Sequence, residues 1–282
     1  MATESEIRSL LDGLTLIASR AAAAILAVPR LDLMKREKPD SSPVTAADDA
    51  SEAVILEGLA TLMPGVRVVS EESTGNRAVA GLGGRFFVVD PLDGTREFLA
   101  GLDEFTVNIA LVENGTPIAG AVAAPARGRV WRGHVLPGCV RYAERLALPP
   151  GAAPERAHER IAIRTRSRPP SGARVLVSRS HLDPATDAYV DRLPDAQRTS
   201  CGSALKFCLL AEGSADVYPR LAPTSEWDVA AGHAVLVAAG GALRQPDGSA
   251  LHYGQGDFRI AAFIATGDPE ATSFAARPVS QP

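Results

Sequence analysis

The sequence predicts an α/β protein of two domains, on three observations. Helix-like and strand-like periodicities alternate along 282 residues, a length that suits one large domain or two smaller ones. The stretch 149–172 is rich in Pro, Ala, Gly and Arg and sets a boundary at about residue 170, dividing the chain into 1–170 and 171–282. The apolar run 86–89 leads straight into Asp90-Pro91-Leu92-Asp93-Gly94-Thr95, so a buried strand ends in two carboxylates at the edge of a core.

Ile7, Leu10, Leu11, Leu14 and Ile17 follow helical spacing, so the first 28 residues open with an amphipathic helix. After the polar stretch 35–43, Thr45-Ala46-Ala47-Asp48 forms a capping box. Behind it, Val54, Ile55, Leu59 and Leu62 mark a second helix, stopped by Pro64-Gly65. Strands are expected at 66–69 and 86–89, then at 105–112 and 118–124. The last two form a hairpin through Asn114-Gly115.

Short strands follow near Val130 and Val140. Beyond the boundary, 174–177 reads as a strand, 184–193 and 204–212 as helices, and Val217 begins another strand. A helix over 226–239 closes at Gly240-Gly241. Asp247-Gly248 marks a hairpin, 260–265 a last strand, and the tail after Ser273 is expected to fray.

Composition narrows the function. Hydrophobic residues at 46% and charged residues at 22% fit a globular enzyme. A net charge of -4 argues against a nucleic-acid polymer as partner and leaves small phosphorylated ligands open. The 3 cysteines, Cys139, Cys201 and Cys208, form no Cys-x-x-Cys, which suggests neither a structural zinc nor disulfides and fits a reducing cytoplasm. The N-terminus carries Glu4 and Glu6 without a long apolar run, so neither a signal peptide nor a membrane span is expected.

Ionised carboxylates at a core edge need a compensating positive charge, and a divalent cation with oxygen ligands supplies it. Asp90 and Asp93, three residues apart across a proline-stiffened turn, can address one small volume together with the Leu92 carbonyl. That pattern points to magnesium and phosphate chemistry. Glu71-Glu72 follow the strand 66–69 as Asp90 follows its own, so neighbouring strands running the same way would bring Glu71 opposite Asp90. Asp48 and Asp228 stand in first turns of helices. Taken singly, Thr45-x-x-Asp48 and Ser225-x-x-Asp228 are only capping boxes.

Other phosphate chemistries fail on spacing. Haloacid-dehalogenase phosphatases need a second Asp two residues after the first, and here the gap is three. No Walker loop is present. Cys139 and Arg145 have thiol-phosphatase spacing, but Val-Arg-Tyr-Ala-Glu between them lacks cradle glycines. Gly81-Leu82-Gly83-Gly84 precedes a strand instead of following one, so it is no dinucleotide loop. The histidines show no His-Glu-x-x-His, and His233 reads as a packed helical residue.

Taken together, Glu71-Glu72, the Asp90 to Thr95 motif and Trp227-Asp228-Val-Ala-Ala-Gly232 resemble the inositol monophosphatase-like superfamily of magnesium-dependent, lithium-sensitive phosphatases. Asp93-Gly-Thr-Arg-Glu-Phe98, Ser178-Arg-Ser-His181, Gly202-Ser-Ala-Leu-Lys-Phe-Cys208, Ala211-Glu-Gly213 and Tyr218-Pro-Arg220 resemble its CysQ-type 3'(2'),5'-bisphosphate nucleotidase branch. Two positions depart from the usual pattern: Ala204, where Ser is usual, and Arg96, where Lys is frequent.

The resemblance implies a layered α-β-α-β-α sandwich with the site between two domains. The first would carry most metal ligands and the second would complete the site. It implies two or three Mg2+ ions on Glu71, Asp90, the Leu92 carbonyl, Asp93 and Asp228, with Asp48, Thr95 and Glu71 in catalytic roles. Asp48 and Thr95 would orient the attacking water, and Gly94 and Thr95 would offer N–H groups to the scissile phosphate, helped by the following helix. His181, Ser203, Lys206 and Arg220 would hold the sugar and second phosphate of a nucleotide.

The implied reaction takes 3'-phosphoadenosine 5'-phosphate to AMP and phosphate, extends to 3'-phosphoadenylyl sulfate, and links the chain to sulfur assimilation. A cytoplasmic monomer or homodimer is expected, with contact to the inner membrane's cytoplasmic face as a further expectation. The rivals are an inositol monophosphatase or other sugar-phosphate phosphatase of the same fold, and a catalytically silent nucleotide sensor. The cations Lys206 and Arg220 argue against the first, and the presence of Asp48, Glu71, Asp93 and Thr95 against the second.

Overall fold

The computed structural model describes residues 4–29, 36–37, 43–74, 82, 84–135, 141–169 and 171–269. Cys139, Val140, most of the polar stretch 35–43 and the tail after Ser273 lie outside them.

In chain order the elements are α1 (Glu4–Ala27), β1 (Arg36–Glu37), β2 (Pro43–Val44), α2 (Ala46–Leu62), β3 (Arg67–Ser70), α3 (Glu71–Thr74), β4 (Arg85–Asp93) and α4 (Thr95–Leu99). The strands β5 (Thr106–Glu113), β6 (Thr116–Ala124), β7 (Arg129–His134), β8 (Tyr142–Ala147) and β9 (Glu159–Ala162) follow. The second half holds β10 (Arg174–Ser178), α5 (Pro184–Asp191), β11 (Gln197–Cys201), α6 (Leu205–Ala211), β12 (Val217–Arg220) and β13 (Thr224–Ser225). It ends with α7 (Ala230–Ala238), β14 (Ala242–Arg244), β15 (Arg259–Ile260) and β16 (Phe263–Thr266).

Two large sheets organise the chain. The first runs β3-β4-β5-β6-β7-β8-β9 and the second β11-β10-β12-β16-β14. In the first, only β3 and β4 are parallel, with Ser70 opposite Val89. The Asn114-Gly115 connection is a two-residue hairpin loop with both φ angles positive (51° and 76°), the geometry that suits strand twist.

The run 86–89 is unbroken because both its faces are buried. Phe87 and Val89 pack under α1 and α2, whereas Phe86 and Val88 face the core shared with α6, α7 and the second sheet. Val175 and Val177 of the second sheet pack outward on Tyr189, Val190 and Leu193 at α5. The layers are therefore α1/α2, first sheet, α6/α7, second sheet, α5: the expected α-β-α-β-α sandwich.

Three sequence expectations need correction. Helix α1 is long and apolar enough over Ser5–Ala27 to cross a membrane, but Leu11, Leu14, Ala18, Ala21 and Ile25 are buried on the first sheet. The region 259–266 holds two strands in different sheets, not one. The segment 226–239 begins with a separate 3-10 turn, Glu226–Asp228, before α7. Besides these, β9 lies inside the Pro- and Arg-rich stretch 149–172 where no strand was expected, and β11 was missed; four of the five β11 residues are exposed, so it lacks an apolar pattern.

Glycines let α7 settle onto the first sheet. A Cβ at Gly120 would stand 2.6 Å from the Ala231 carbonyl oxygen, and one at Gly133 2.7 Å from Ala238 Cβ. Gly120→Ala is therefore expected to push α7 off the sheet and cost about 1–3 kcal/mol, read as a lower urea midpoint. An unchanged midpoint would mean that α7 has room to move.

Candidate active site

The site begins with an irregularity in β4. Asp90 pairs with Asn108 and Asp93 with Thr106, so three steps along β4 match two along β5. In a regular strand, residues three apart point to opposite faces. The one-residue bulge lets both carboxylates line the same cleft. This replaces the expected turn: the strand runs through the motif to Asp93. Asp90 is buried and its Oδ1 accepts the Leu92 N–H at 3.0 Å. The Ser51 hydroxyl donates to the Pro91 carbonyl at 2.7 Å, tying α2 to the bulge.

The parallel pairing of β3 with β4 brings Glu71 beside Asp90, as the sequence suggested. Asp228 arrives from the second half, on the 3-10 turn before α7. Carboxylate oxygens of Glu71, Asp90 and Asp228 lie within 4.8 Å of one another. Asp228 also accepts from the Ser225 N–H at 3.2 Å and from the Thr224 hydroxyl. The capping box is thus real, and it aims a carboxylate at the cluster as well as closing a turn.

Asp93 sits beside this triad. Its Oδ2 accepts the Ala204 N–H at 2.6 Å, the Asn108 side-chain amide at 3.2 Å and the Thr106 hydroxyl at 3.4 Å. Burial, then the nearby Asp228, push its carboxyl up to about 7, against the downward pull of Lys206 and these hydrogen bonds. A cluster of acids this strained fits a hard divalent cation, and its donors are all oxygen.

Asp48 divides its two oxygens. Oδ2 accepts from the N–H and hydroxyl of Thr45, each at 2.7 Å, completing the cap of α2. Oδ1 faces the Thr95 hydroxyl at 3.4 Å, and that hydroxyl also reaches the Leu92 carbonyl at 3.0 Å. Between them, Gly94 has φ 89°, and a Cβ there would meet the Glu104 carbonyl at 2.9 Å. The following α4 has five residues, so it offers the neighbouring N–H groups little dipole support.

Across the cleft stand His181, Ser203, Lys206 and Arg220. Partial burial, then the Arg220 and Arg96 charges, hold the His181 pKa below the usual imidazole value. Arg220 Nε is buried with no hydrogen-bond partner, while Nη2 donates to the Pro223 carbonyl at 3.3 Å. Burial works against its charge, but Tyr218 and Asp228 outweigh that and raise its pKa.

Lys206 is placed differently. Its ammonium is buried, donates to the carbonyls of Ser203 (2.7 Å) and Cys201 (3.1 Å), and lies 5.1 Å from the centre of the Tyr218 ring. Two of its three protons are therefore committed to the chain. The Ala204 departure is harmless at Asp93, because the backbone N–H makes that contact.

Thr106 and Asn108 were not singled out in the sequence. Two polar side chains at alternate positions of an otherwise apolar strand are the signal that would have found them. Arg145 pairs with Glu212 and Glu159, so it is no free anion receptor as the thiol-phosphatase spacing would require. His233, read as packed, bonds through Nδ1 to the Tyr253 hydroxyl at 2.9 Å.

Residues 6–280 match the model of the inositol monophosphatase family. The chain is 45% identical over 225 residues to the 3'(2'),5'-bisphosphate nucleotidase CysQ of Salmonella typhimurium, covering 77% of this chain and 81% of that protein. Its fold matches the crystal structure of CysQ from Bacteroides thetaiotaomicron with TM-score 0.76 and 33% identity, over 93% and 98% of the two chains. The inositol monophosphatase of Anabaena matches with TM-score 0.72 and 26% identity, over 95% and 94%.

The Asp93 environment sets a pH dependence. Folded, the group keeps its proton to about 7; unfolded, it gives it up near 3.8, so stability falls as pH rises through that window. Without divalent cation, Tm should drop between about pH 4 and about pH 7. Asp93→Asn should raise the alkaline Tm and flatten the slope. The fall that Glu226 adds, being also pushed up to about 7 by burial, is opposed over nearly the same range by His233, which burial pushes down to about 4. A mutant profile parallel to wild type would show that Asp93 carries no such strain.

Proposed function

The chain belongs to the inositol monophosphatase family, and from that premise we propose that it is a magnesium-dependent 3'(2'),5'-bisphosphate nucleotidase. It hydrolyses 3'-phosphoadenosine 5'-phosphate to AMP and phosphate. Its range extends to 3'-phosphoadenylyl sulfate, which connects it with sulfur assimilation. Beyond the relatives, the observation that carries this reading is Arg220: a half-buried guanidinium whose charge is favoured by Tyr218 and Asp228, lining the same cleft as the acidic cluster. Metals already serve the phosphate being cleaved, so a further cation across the cleft suits a second phosphate.

In this reading Glu71, Asp90, the Leu92 carbonyl, Asp93 and Asp228 hold two or three Mg2+ ions. Magnesium supplies an acidified attacking water and neutralises charge on the leaving oxygen. The protein supplies orientation. With Oδ2 fixed by Thr45, Asp48 keeps Oδ1 aimed at Thr95. The Thr95 hydroxyl can donate to Asp48 or to the Leu92 carbonyl while its lone pairs accept a water proton. Glu71, grouped with Asp90 and Asp228, would add a catalytic role to its metal-holding one. The Gly94 and Thr95 N–H groups bind the scissile phosphate, and His181 and Ser203 bind the sugar.

The working form is a monomer or homodimer in the cytoplasm, with two domains divided at about residue 170. The apolar stripe of α1 is already covered by the first sheet, so that helix offers no support for contact with the inner membrane.

Activity should vanish in EDTA and return with Mg2+, whereas Ca2+, with longer and looser bonds, and Li+ should inhibit. Full turnover in metal-free buffer would refute the mechanism. Arg220→Ala should lower kcat/KM for 3'-phosphoadenosine 5'-phosphate by about one to two decades, the loss of one charge-assisted contact of roughly 1.5–3 kcal/mol. Inositol monophosphate turnover should be little affected. Lys206→Ala, by contrast, should depress both substrates, because it frees the Ser203 carbonyl and removes a charge that steadies Asp93. A wild type that prefers inositol monophosphate would favour the sugar-phosphate rival.

A further inference from the structure

Two acidic side chains on the segment after the bulge reach across to the second sheet. Glu104 receives Arg179 in a fork, Nε at 2.7 Å and Nη2 at 2.8 Å. The same Glu104 carboxylate accepts the Gly202 N–H at 2.8 Å. Arg179 Nη2 also donates to the Ser200 carbonyl at 3.2 Å. Glu97, itself buried, accepts the Ser180 hydroxyl at 2.5 Å. Approach is close: a Cβ at Gly202 would lie 2.8 Å from the Glu104 carbonyl oxygen and 3.0 Å from Glu97 Cγ.

The two loops held in this way, 178–181 and 201–204, leave the same ends of the parallel pair β10 and β11. That is where open α/β sheets present ligand-binding loops. They carry His181 and Ser203 into the cleft. Ser203 has φ 49°, a left-handed conformation that costs a non-glycine residue about 1–2 kcal/mol and survives only where its surroundings hold it. Its neighbours are held on both sides, Gly202 by Glu104 and Ala204 by Asp93.

We infer that Glu104, assisted by Glu97, is a specificity-positioning residue: it clasps the two loops of the second half against the metal-bearing half and so sets His181 and Ser203 for the nucleoside part of the substrate. The inference rests on the nucleotidase reading above for the identity of that substrate, but the clasp itself does not. A half-exposed ion pair is ordinarily weak. This one is bidentate, shared with a backbone N–H and coupled to a strained residue, which gives it leverage over loop geometry.

The test uses full-length Glu104→Ala and Glu104→Gln. The amide oxygen of Gln still accepts the Gly202 N–H but does not pair with the Arg179 charge. Glu104→Ala should raise KM for 3'-phosphoadenosine 5'-phosphate about tenfold, with kcat within about twofold, and Glu104→Gln should fall between. KM for inositol monophosphate, which lacks a nucleoside, should stay level, as should the Mg2+ concentration giving half-maximal thermal stabilisation.

Amide hydrogen exchange should quicken in 178–181 and 201–204 of Glu104→Ala and nowhere else near the cleft. Equal KM increases on both substrates, or unchanged exchange in the two loops, would overturn the inference. So would a fall in kcat with a shifted Mg2+ midpoint, since the clasp would then serve Asp93. If the wild type does not cleave 3'-phosphoadenosine 5'-phosphate, the nucleotidase reading fails by itself, and the exchange arm still decides the clasp.

Discussion

One extra residue in β4 organises the rest of the site. A regular strand would send Asp90 and Asp93 to opposite faces, one into each core. The bulge opposite Thr106 and Asn108 turns both toward one cleft, at the cost of crowding acids that repel each other. The surroundings of the bulge answer that crowding. Ser51 holds the Pro91 carbonyl, Asn108 and the Ala204 N–H hold Asp93, and Lys206 adds a nearby positive charge. The residual strain is visible in an Asp93 carboxyl pushed up to about 7 by burial and by Asp228.

The same residues close helix turns and line the cleft without conflict because each carboxylate has two oxygens. Asp48 uses one to cap α2 and turns the other to Thr95. Asp228 closes the turn before α7 and joins Glu71 and Asp90. Reading either one as only a cap would miss the second oxygen, which faces Thr95 in one case and the acidic cluster in the other. The placement of Asp228 depends on α7 lying close to the first sheet over Gly120 and Gly133, which brings a turn from the second half to the edge of the first.

The substrate side of the cleft is built on the same economy of parts. Lys206 is consumed largely by the Ser203 and Cys201 carbonyls and the Tyr218 ring, whereas Arg220 is only half-buried and lines the cleft. Glu104 and Glu97 then join the loops bearing His181 and Ser203 to the half that bears the carboxylates. The acidic cluster and the facing loops are thus joined through one segment, the stretch just after the bulge.

The sequence by itself determined what is local. Periodicity located α1, α2 and the hairpin over Asn114-Gly115, capping boxes marked Asp48 and Asp228, and an apolar run leading into Asp90 announced the acidic cluster. These signals are legible because spacing along one element is set by its own pitch or pleat. The bulge, the polar edge strand β11, the burial of Lys206 and the Glu104 clasp were not legible. Each depends on a partner chosen elsewhere in the chain: Thr106 for the bulge, β10 for β11, Tyr218 for Lys206, and Gly202, 98 residues on, for Glu104. Only the tertiary structure decided those, because an isolated Glu in a loop is equally compatible with water until a distant N–H and guanidinium are brought to it.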